Sequence, residues 1–283
     1  MITYFQAIIM GLLQGVSELF PVSSLGHSVL LPALLGWDNV VKSQSQSESF
    51  FLAFLVGLHV ATALALLIFY RKTWAKIFRG FYSSLKKRRA EESEERLAWL
   101  LIIATVPAGL TGLIFEHKLR VLFAKPIYAA VFLTINGFIL LAGERYRKLA
   151  AGRQAKRQLA SLNYREAGVV GFAQILALFA GISRSGVTIV AGLVRGLSHE
   201  DAANFSFLLA TPIILAAGVY KLPDLLGPNG AGVRGQILVG SIMAGFAAYF
   251  SIKFLTRYFQ TNNLKPFAIY SLVVGILMIF RFA

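Results

Sequence analysis

The chain has 283 residues, of which 57% are hydrophobic and only 14% are charged, and its formal net charge is +15. A water-soluble domain carries about 25% charged residues, so this composition excludes an ordinary soluble protein and predicts a surface that faces lipid. The lack of cysteine excludes disulfides, thiol chemistry and cysteine-ligated metals. The first residues lack the basic region of a secretory signal peptide, so we expect them to remain in the mature protein.

The first apolar segment, residues 2–20, is followed by a polar break at 21–27 and a short apolar piece at 29–37. Gln14 and Glu18 are four residues apart, so they share one face of the predicted helix. Glu18 is the carboxylate that lies clearly inside an apolar segment. We therefore expect this helix to present an amide and a carboxylate near its C-terminal end.

Three polar side chains of the break are candidates for chemistry. Ser23 and Ser24 are placed to cap the following helix, which is the usual role of serine at such a position. His27 falls one turn into that helix, close enough to exchange a proton with a group held at the helix N-terminus. A lone histidine is more often a packed side chain, but the neighbouring polar break and buried carboxylate favour a functional role here.

Apolar runs at 50–70, 97–115 and 127–141 approach the roughly 20 residues that a helix needs to cross a bilayer. Basic stretches at 71–96 and 144–165 lie beside them, and the positive-inside rule places both in the cytoplasm. That rule accounts for the net charge, so we predict no binding of nucleic acid. Opposite charges at i,i+4, such as Lys87 with Glu91 and Arg88 with Glu92, are typical of a solvated helix, but we interpret this stretch as a soluble turn between spans.

A second polar break, residues 180–186, divides two short apolar pieces at 167–179 and 187–197. At about 1.5 Å per residue neither piece crosses a bilayer comfortably. Full spans are predicted afterwards at 204–219, 236–254 and 267–280, with a further basic cluster between the last two. For that cluster to be cytoplasmic, the second break must cross the membrane an even number of times, which predicts a re-entrant helix–loop–helix.

The second break has the composition of a phosphate-binding loop. Glycines let the backbone approach a ligand, hydroxyls donate hydrogen bonds, the arginine presents a planar fork of donors, and the next helix begins with unpaired N–H groups. The first break also starts a helix, so both loops are predicted to hold one anion. The predicted phosphate-binding residues are Ser23, Gly26, Gly181, Ser183, Arg184, Ser185, Gly186 and Thr188.

The two breaks are related by a shift of 160 residues. Gly11 then coincides with Gly171, Gln14 with Gln174, Ser23 with Ser183, and Gly26 with Gly186. Three spans separate the copies, so they are predicted to enter from opposite sides, as in the inverted repeats of many transporters. The alternative is two unrelated glycine- and serine-rich kinks.

These patterns predict an all-α, polytopic membrane bundle that forms one membrane domain over residues 1–283. It is predicted to have about six transmembrane helices and two re-entrant helix–loop–helix segments, in inverted repeats at about 1–143 and 166–283. Glu18 and Arg184 are each costly to place near the centre of a bilayer, by roughly 2.5–3.5 kcal/mol. We therefore expect them to serve one site, the alternative being a purely structural ion pair.

At these residues the chain resembles the bacterial undecaprenyl-diphosphate phosphatase family (BacA/UppP). The family's first motif, Glu or Gln, then Glu four residues later, then Pro-Val-Ser-Ser-x-Gly-His, matches residues 14–27. Its second motif, Pro-Gly-x-Ser-Arg-Ser-x-x-Thr, matches 180–188 with Ala180 in place of the proline. The likeness extends over essentially the whole chain, including residues 204–212.

The resemblance implies hydrolysis of undecaprenyl (C55) pyrophosphate to undecaprenyl phosphate and inorganic phosphate, at the outer face of the cytoplasmic membrane, for cell-wall synthesis. It also implies bacitracin resistance and a divalent cation, usually Mg²⁺, with Glu18 and Gln14 as the expected metal ligands. Gln14 replaces a carboxylate found in many members, which leaves fewer negative ligands. The essential residues carry over as Glu18, Ser24, His27 and Arg184.

Two matters stay open at this stage. The sequence does not rank Ser24 against water as the nucleophile, nor does it give the oligomeric state, a homodimer being one option. An inverted repeat would also suit a membrane transporter or a lipid flippase, which is the alternative function.

Overall fold

The computed structural model describes residues 2–44, 50–123, 125–150, 157–221, 223, 227 and 231–283, without the side chains of 116–123 and 150. Within these residues the chain is helical, and its one β feature is an isolated bridge between Arg157 and Leu197. This confirms the predicted all-α fold.

Six of the described helices are long and apolar enough to cross a membrane, which confirms the predicted number of spans. They are α4 (Phe50–Phe69), α6 (Ser93–Phe123), α7 (Pro126–Ala150), α10 (His199–Tyr220), α11 (Arg234–Thr261) and α12 (Lys265–Phe282). Several run past the apolar runs of the sequence. The extensions carry acidic residues in a first turn, as at Glu94, and basic residues in a last turn, as at Arg147, where the helix dipole favours them.

Each polar break joins two helices that are too short to span. The first pair is α1 (Tyr4–Ser17) and α2 (Ser24–Leu34); the second is α8 (Tyr164–Gln174) and α9 (Arg184–Val194), with a 3₁₀ turn at Ile175–Leu178 between them. A short helix α3 (Asp38–Gln44) follows the first pair. The three spans α4, α6 and α7 lie between the pairs, as predicted.

The two pairs begin and turn in the same way. Thr3 and Asn163 each form a capping box at the start of the first helix, with Gln6 and Glu166 as the returning side chains. At the start of the second helix, the hydroxyl of Ser23 accepts from Gly26 N and that of Ser183 accepts from Gly186 N.

The first helix of each pair packs closely on a spanning helix of the other half of the chain. A Cβ at Gly11 would collide with the carbonyl of Gly240 in α11, and one at Gly171 would lie 2.6 Å from the carbonyl of Ala104 in α6. This reciprocal packing accounts for two of the glycines that the sequence repeat brought into register. The repeat boundaries and the opposite orientation of the halves stay predictions.

The basic stretch 71–96 is more helical than the turn we expected. Helix α5 (Arg71–Lys87) occupies most of it and ends at Arg88, whose φ of 54° is left-handed. Lys87 pairs with Glu92 at 3.2 Å and Glu95 at 3.0 Å, not at the i,i+4 spacing, because the helix has already ended there.

The second basic stretch, 144–165, includes the end of α7, while residues 151–156 lie outside the described residues. After them Arg157 pairs with Glu166 at 2.7 Å, at the start of α8. The stretch is therefore tied to the second helix pair by an ion pair.

Candidate active site

Glu18 and Arg184 meet, as the sequence predicted. Glu18 caps the C-terminus of α1 and is 7% exposed, and Arg184 is the first residue of α9. The guanidinium donates from Nη2 to Glu18 Oε1 at 3.2 Å and from Nε to the same oxygen at 3.3 Å. Its Nη1 donates to the carbonyl of Ser206 in α10. The ion pair thus joins two loops that are 166 residues apart in sequence.

The second carboxylate oxygen of Glu18 binds groups from its own half of the chain. Ser24 Oγ donates to Oε2 at 2.5 Å, and Gln14 Nε2 donates to it at 3.2 Å. A serine hydroxyl this close to a buried carboxylate is in position to lose its proton when it attacks an electrophile.

Ser23 connects the two loops through its side chain. Its Oγ accepts from Gly26 N at 3.2 Å in its own loop and from Gly181 N at 3.1 Å in the other. Gly181 has a φ of 114°, and a Cβ there would strike the carbonyl of Ala129 in α7. Only glycine at this position allows the second loop to lie this close to α7.

The remaining hydroxyls of the second loop are bonded within the protein. Ser183 Oγ and Ser185 Oγ are 3.0 Å apart, and Thr188 Oγ1 donates to the carbonyl of Arg184 at 2.8 Å. Ser183 lines the cavity described below, whereas Ser185, Gly186 and Thr188 do not line it. Their predicted phosphate-binding roles stay predictions.

Asn136 of α7 is a positioning residue that the sequence did not single out. Its side chain accepts from Ser183 N at 3.0 Å and donates to the carbonyl of Pro21 at 3.0 Å, so it holds both loops at once. A polar side chain that is fully buried in a predicted span would have been the signal for it.

His27 lies in the first turn of α2, as expected, and both of its ring nitrogens have partners within the protein. Its Nδ1 lies 2.7 Å from the carbonyl of Ser23, and its Nε2 lies 2.8 Å from the hydroxyl of Tyr270 in α12. The two rings stack with centroids 5.7 Å apart, and His27 is not part of the cavity wall. Its assigned role in proton transfer stays a prediction.

A cavity of about 970 Å³ begins at this cluster and extends among α4, α6 and α10. One end is polar and contains both loops. Most of the remaining wall is apolar, although Gln44 and Lys221 also line it, so its chemistry suits a molecule with an anionic head and a hydrocarbon tail. The polar end includes Glu18, Ser23, Ser24, His59, Ser183 and Arg184, and the apolar wall includes Phe51, Leu55, Leu113, Leu178 and Ile213.

His59, in α4, is a cavity residue that the sequence reasoning missed. Its Nε2 lies 3.5 Å from Glu18 Oε2, the oxygen that also accepts from Ser24. It belongs to no motif, but it is the one ionisable side chain in the apolar stretch of α4. An ionisable residue within a span is a functional candidate by that fact alone.

The expected magnesium ligands do not form a metal site on their own. Glu18 Oε1 already accepts from Arg184, and Oε2 accepts from Ser24 and Gln14. Gln14 therefore directs its amide N–H, not its oxygen, toward the carboxylate. No group of three or more His, Cys, Asp or Glu side chains suited to a metal occurs within the described part of the chain. Magnesium prefers about six oxygen ligands, so a resident ion does not fit these residues, and the magnesium requirement stays a prediction.

Comparison with known proteins places these residues in a wider context. The family model described as bacitracin resistance protein BacA matches residues 7–277. A protein of Frankia alni named undecaprenyl-diphosphatase 2 is 51% identical, covering 100% of this chain and 98% of its own. An undecaprenyl-diphosphatase of Mycolicibacterium paratuberculosis is 54% identical and covers 97% of this chain and 95% of its own. A protein of Chromobacterium violaceum named undecaprenyl-diphosphatase 2 is 44% identical and covers 96% of each chain.

Proposed function

The chain belongs to the bacitracin resistance protein BacA family, and we propose that its composite site at Glu18 and Arg184 hydrolyses undecaprenyl pyrophosphate to undecaprenyl phosphate and inorganic phosphate. It is a multi-pass membrane phosphatase. The observation that carries the assignment of the site is the ion pair at the polar end of the apolar cavity, with Ser24 bonded to its carboxylate.

The cavity fits the two chemical parts of this substrate. The polyprenyl tail is hydrocarbon and can pack against the apolar wall between α4 and α10, which is as apolar as the lipid that the tail leaves. The pyrophosphate head reaches the polar end, where Arg184 and the N-terminus of α9 offer positive potential. Both loops come from one chain, so the site needs no second subunit.

The proposed chemistry begins at Ser24. Its Oγ attacks the terminal phosphorus in line as its proton passes to Glu18, and the bond from that phosphorus to the bridging oxygen breaks. Undecaprenyl phosphate leaves with the bridging oxygen. Water then attacks the phosphorus of the phosphoserine and the bond from Ser24 Oγ to phosphorus breaks. Glu18 returns its proton to Ser24 Oγ, and inorganic phosphate leaves with both protons of the water. In the alternative, water occupies the place of the hydroxyl and attacks directly.

Arg184 and the start of α9 stabilise the charge on the phosphoryl oxygens, which is the main source of catalysis in phosphoryl transfer. Arg184 also binds Oε1 of Glu18, so that Oε2 is oriented toward Ser24. Magnesium would be brought by the pyrophosphate itself, which supplies the oxygen ligands that the protein lacks.

We also place the enzyme in the cytoplasmic membrane, with the site open to the outer face. The support is the positive-inside rule, which assigns the two basic stretches, at α5 and around Arg157, to the cytoplasm because of their positive charge. Helix α3, with Asp38 in its first turn, would then lie on the outer side, and its last residue, Gln44, lines the cavity.

The test is phosphate release by purified protein in detergent, with undecaprenyl pyrophosphate and Mg²⁺. Transport is impossible in detergent, so phosphate release separates a phosphatase from the alternative transporter or flippase. Ser24→Ala should lose at least about 100-fold in kcat if serine is the nucleophile. Phosphate labelled at the terminal position should remain on Ser24 in a rapidly quenched wild-type sample. A fully active Ser24→Ala variant would exclude serine as the nucleophile and favour direct attack by water.

A further inference from the structure

The orientation of the His59 ring is fixed by the backbone of its own helix. Nδ1 lies 2.8 Å from the carbonyl oxygen of Leu55, one turn earlier in α4. A carbonyl oxygen only accepts, so Nδ1 carries a proton and Nε2 is the nitrogen directed toward the loops. This leaves Nε2 available to the contents of the cavity.

His59 also reaches further into the cavity than Glu18 does. Its side chain is 22% exposed, compared with 6% for Glu18, and the cavity is the space that it faces. Nε2 is 3.5 Å from Glu18 Oε2, and Ser24 Oγ is 2.5 Å from the same oxygen. An anion that approaches Ser24 from the cavity therefore comes close to His59.

Several other donors around the polar end are already bonded. Gly26 N and Gly181 N donate to Ser23, Gly186 N donates to Ser183, and three of the five N–H groups of Arg184 have acceptors, which leaves two for the phosphate. A terminal phosphate has three outer oxygens, and each buried oxygen needs a donor. His59 Nε2 is such a donor when the imidazole carries both protons, and it has no hydrogen bond shorter than 3.5 Å.

The two histidines near the loops differ in this respect. Nδ1 of His27 is also fixed by a backbone carbonyl, but its Nε2 accepts from the hydroxyl of Tyr270. Tyr270 therefore saturates the nitrogen of His27 that would otherwise act on a ligand. The geometry favours His59 as the histidine that contacts the substrate.

We propose that His59 is a substrate-binding residue, whose Nε2–H donates to the terminal phosphate of undecaprenyl pyrophosphate on the side opposite Arg184. The proposal rests on the site proposed above. Nδ1 already donates to Leu55, so it is the imidazolium form of His59 that has an N–H at Nε2 for the phosphate. His59 then adds a second cation beside Arg184, and the pair holds the phosphorus in front of Ser24.

The test compares two substitutions that differ in one property. His59→Gln keeps an N–H donor at about the same reach, whereas His59→Leu keeps the bulk and removes the donor. We expect His59→Leu to lower kcat/KM roughly 30-fold, as for a hydrogen bond to a charged group, and His59→Gln to recover most of it. Binding of a non-hydrolysable methylene-bridged analogue of the lipid pyrophosphate should weaken by a similar factor in the leucine variant.

Thr62→Val is the matched control, because Thr62 lies in the same helix, is fully buried and is not part of the cavity wall. It should bind the analogue as the wild type does, and equal thermal stability in detergent should show that all variants are folded. If His59→Leu binds the analogue normally, or if His59→Gln is as impaired as His59→Leu, the proposed contact is wrong. In that case an inactive Arg184→Lys variant would leave the proposed function standing, whereas full activity of Arg184→Lys would overturn the site itself.

Discussion

At the scale of single residues, Glu18 uses its two oxygens for two different partners. Oε1 receives Arg184 from the distant loop, and Oε2 receives Ser24 from its own loop. A buried charge without a partner destabilises a protein by several kcal/mol, so each partner also protects the fold. The carboxylate that forms the ion pair with Arg184 therefore also orients the hydroxyl of Ser24.

Arg184→Lys should abolish most activity while the protein still folds and inserts. Lysine keeps the charge but replaces three bonded nitrogens, to Glu18 and to the carbonyl of Ser206, with one compact ammonium group. Loss of one or two charge-assisted bonds corresponds to roughly a 100-fold lower kcat/KM. Phosphate release in detergent measures this, and a lysine variant near wild-type rate would exclude the role of the planar fork.

Gln14→Glu should make activity depend more steeply on magnesium. The substitution replaces an N–H donor to Glu18 with a second carboxylate at about 3.2 Å, and two ionised carboxylates at that distance repel each other. A cation between them would relieve the repulsion, so activity should fall at low Mg²⁺ and recover at high Mg²⁺. Gln14→Met is the uncharged control, whose magnesium profile should match that of the wild type.

The residues of the site were predictable to different degrees. Glu18 and Arg184 were found because charge inside an apolar run is costly, and Ser24 because it lies in the polar break. The contacts of His27 were not predictable, because its partner Tyr270 is 243 residues away in the sequence. His59 was overlooked because it stands alone in α4, where only the cavity shows what it faces.

At the scale of elements, caps and charges fix where each re-entrant pair begins. Asn163 caps α8, and Glu166 returns a bond to Asn163 N at 2.9 Å while it pairs with Arg157. Arg157 also donates to the carbonyl of Arg195 just after α9. One side chain therefore ties the start of α8 to the end of α9.

The stabilisation from this cluster should depend on pH. The hydrogen bond from Arg157 is the main cause that holds the pKa of Glu166 below its ordinary value of 4.5. A group whose pKa is lower in the folded state stabilises the protein at pH values above its unfolded-state pKa. This stabilisation is lost as the pH falls through the folded-state pKa. Arg157→Ala should therefore lower stability by about 1 kcal/mol or less at pH 7, and the difference should shrink below pH 4.5. Thermal unfolding in detergent over a pH series measures this; a constant difference would assign the effect to the bond with Arg195.

The elements themselves followed from the sequence except for two helices, α3 and α5, which were not predicted. The spans and both helix pairs appear as apolar runs with polar breaks, so length and hydropathy were sufficient. Helix α5 was missed because its charges suggested a solvated turn, although Phe78 and Tyr82 lie on an exposed apolar side, as in a helix at a membrane surface. A charge pattern alone does not show whether the other face of such a helix meets lipid.

At the scale of the whole molecule, the site exists only where the two halves meet. Asn136 holds both loops, Ser23 bridges them, and a Cβ at Gly26 would lie 2.8 Å from the Cα of Gly181. The sequence repeat predicted this meeting of the loops. It could not predict the cavity, whose walls come from α4, α6 and α10 and depend on how far apart those helices pack.

Cysteines placed at Ser23 and Ser183 should crosslink through a short reagent in native membranes, and bound pyrophosphate should change the yield. The chain has no natural cysteine, so there is no background reaction. Single cysteines at Asp38 and Arg88 should label from outside and inside, respectively. Absence of the crosslink, or labelling of Arg88 from outside, would contradict the composite site or its orientation. The companion positions of the sequence prediction, Asp224 outside and Arg153 inside, lie outside the described residues.

The hydrogen bond from Gly181 N to Ser23 Oγ spans 158 residues, and this separation matters during synthesis. At about 5–20 residues per second, the ribosome needs on the order of ten seconds to make the second loop after the first. Throughout that interval the arginine of the ion pair does not yet exist, and a carboxylate is costly to place in hydrocarbon without it. The nascent first loop therefore has to stay hydrated or be sheltered by the insertion machinery, and the catalytic centre matures only after the later half has entered the membrane.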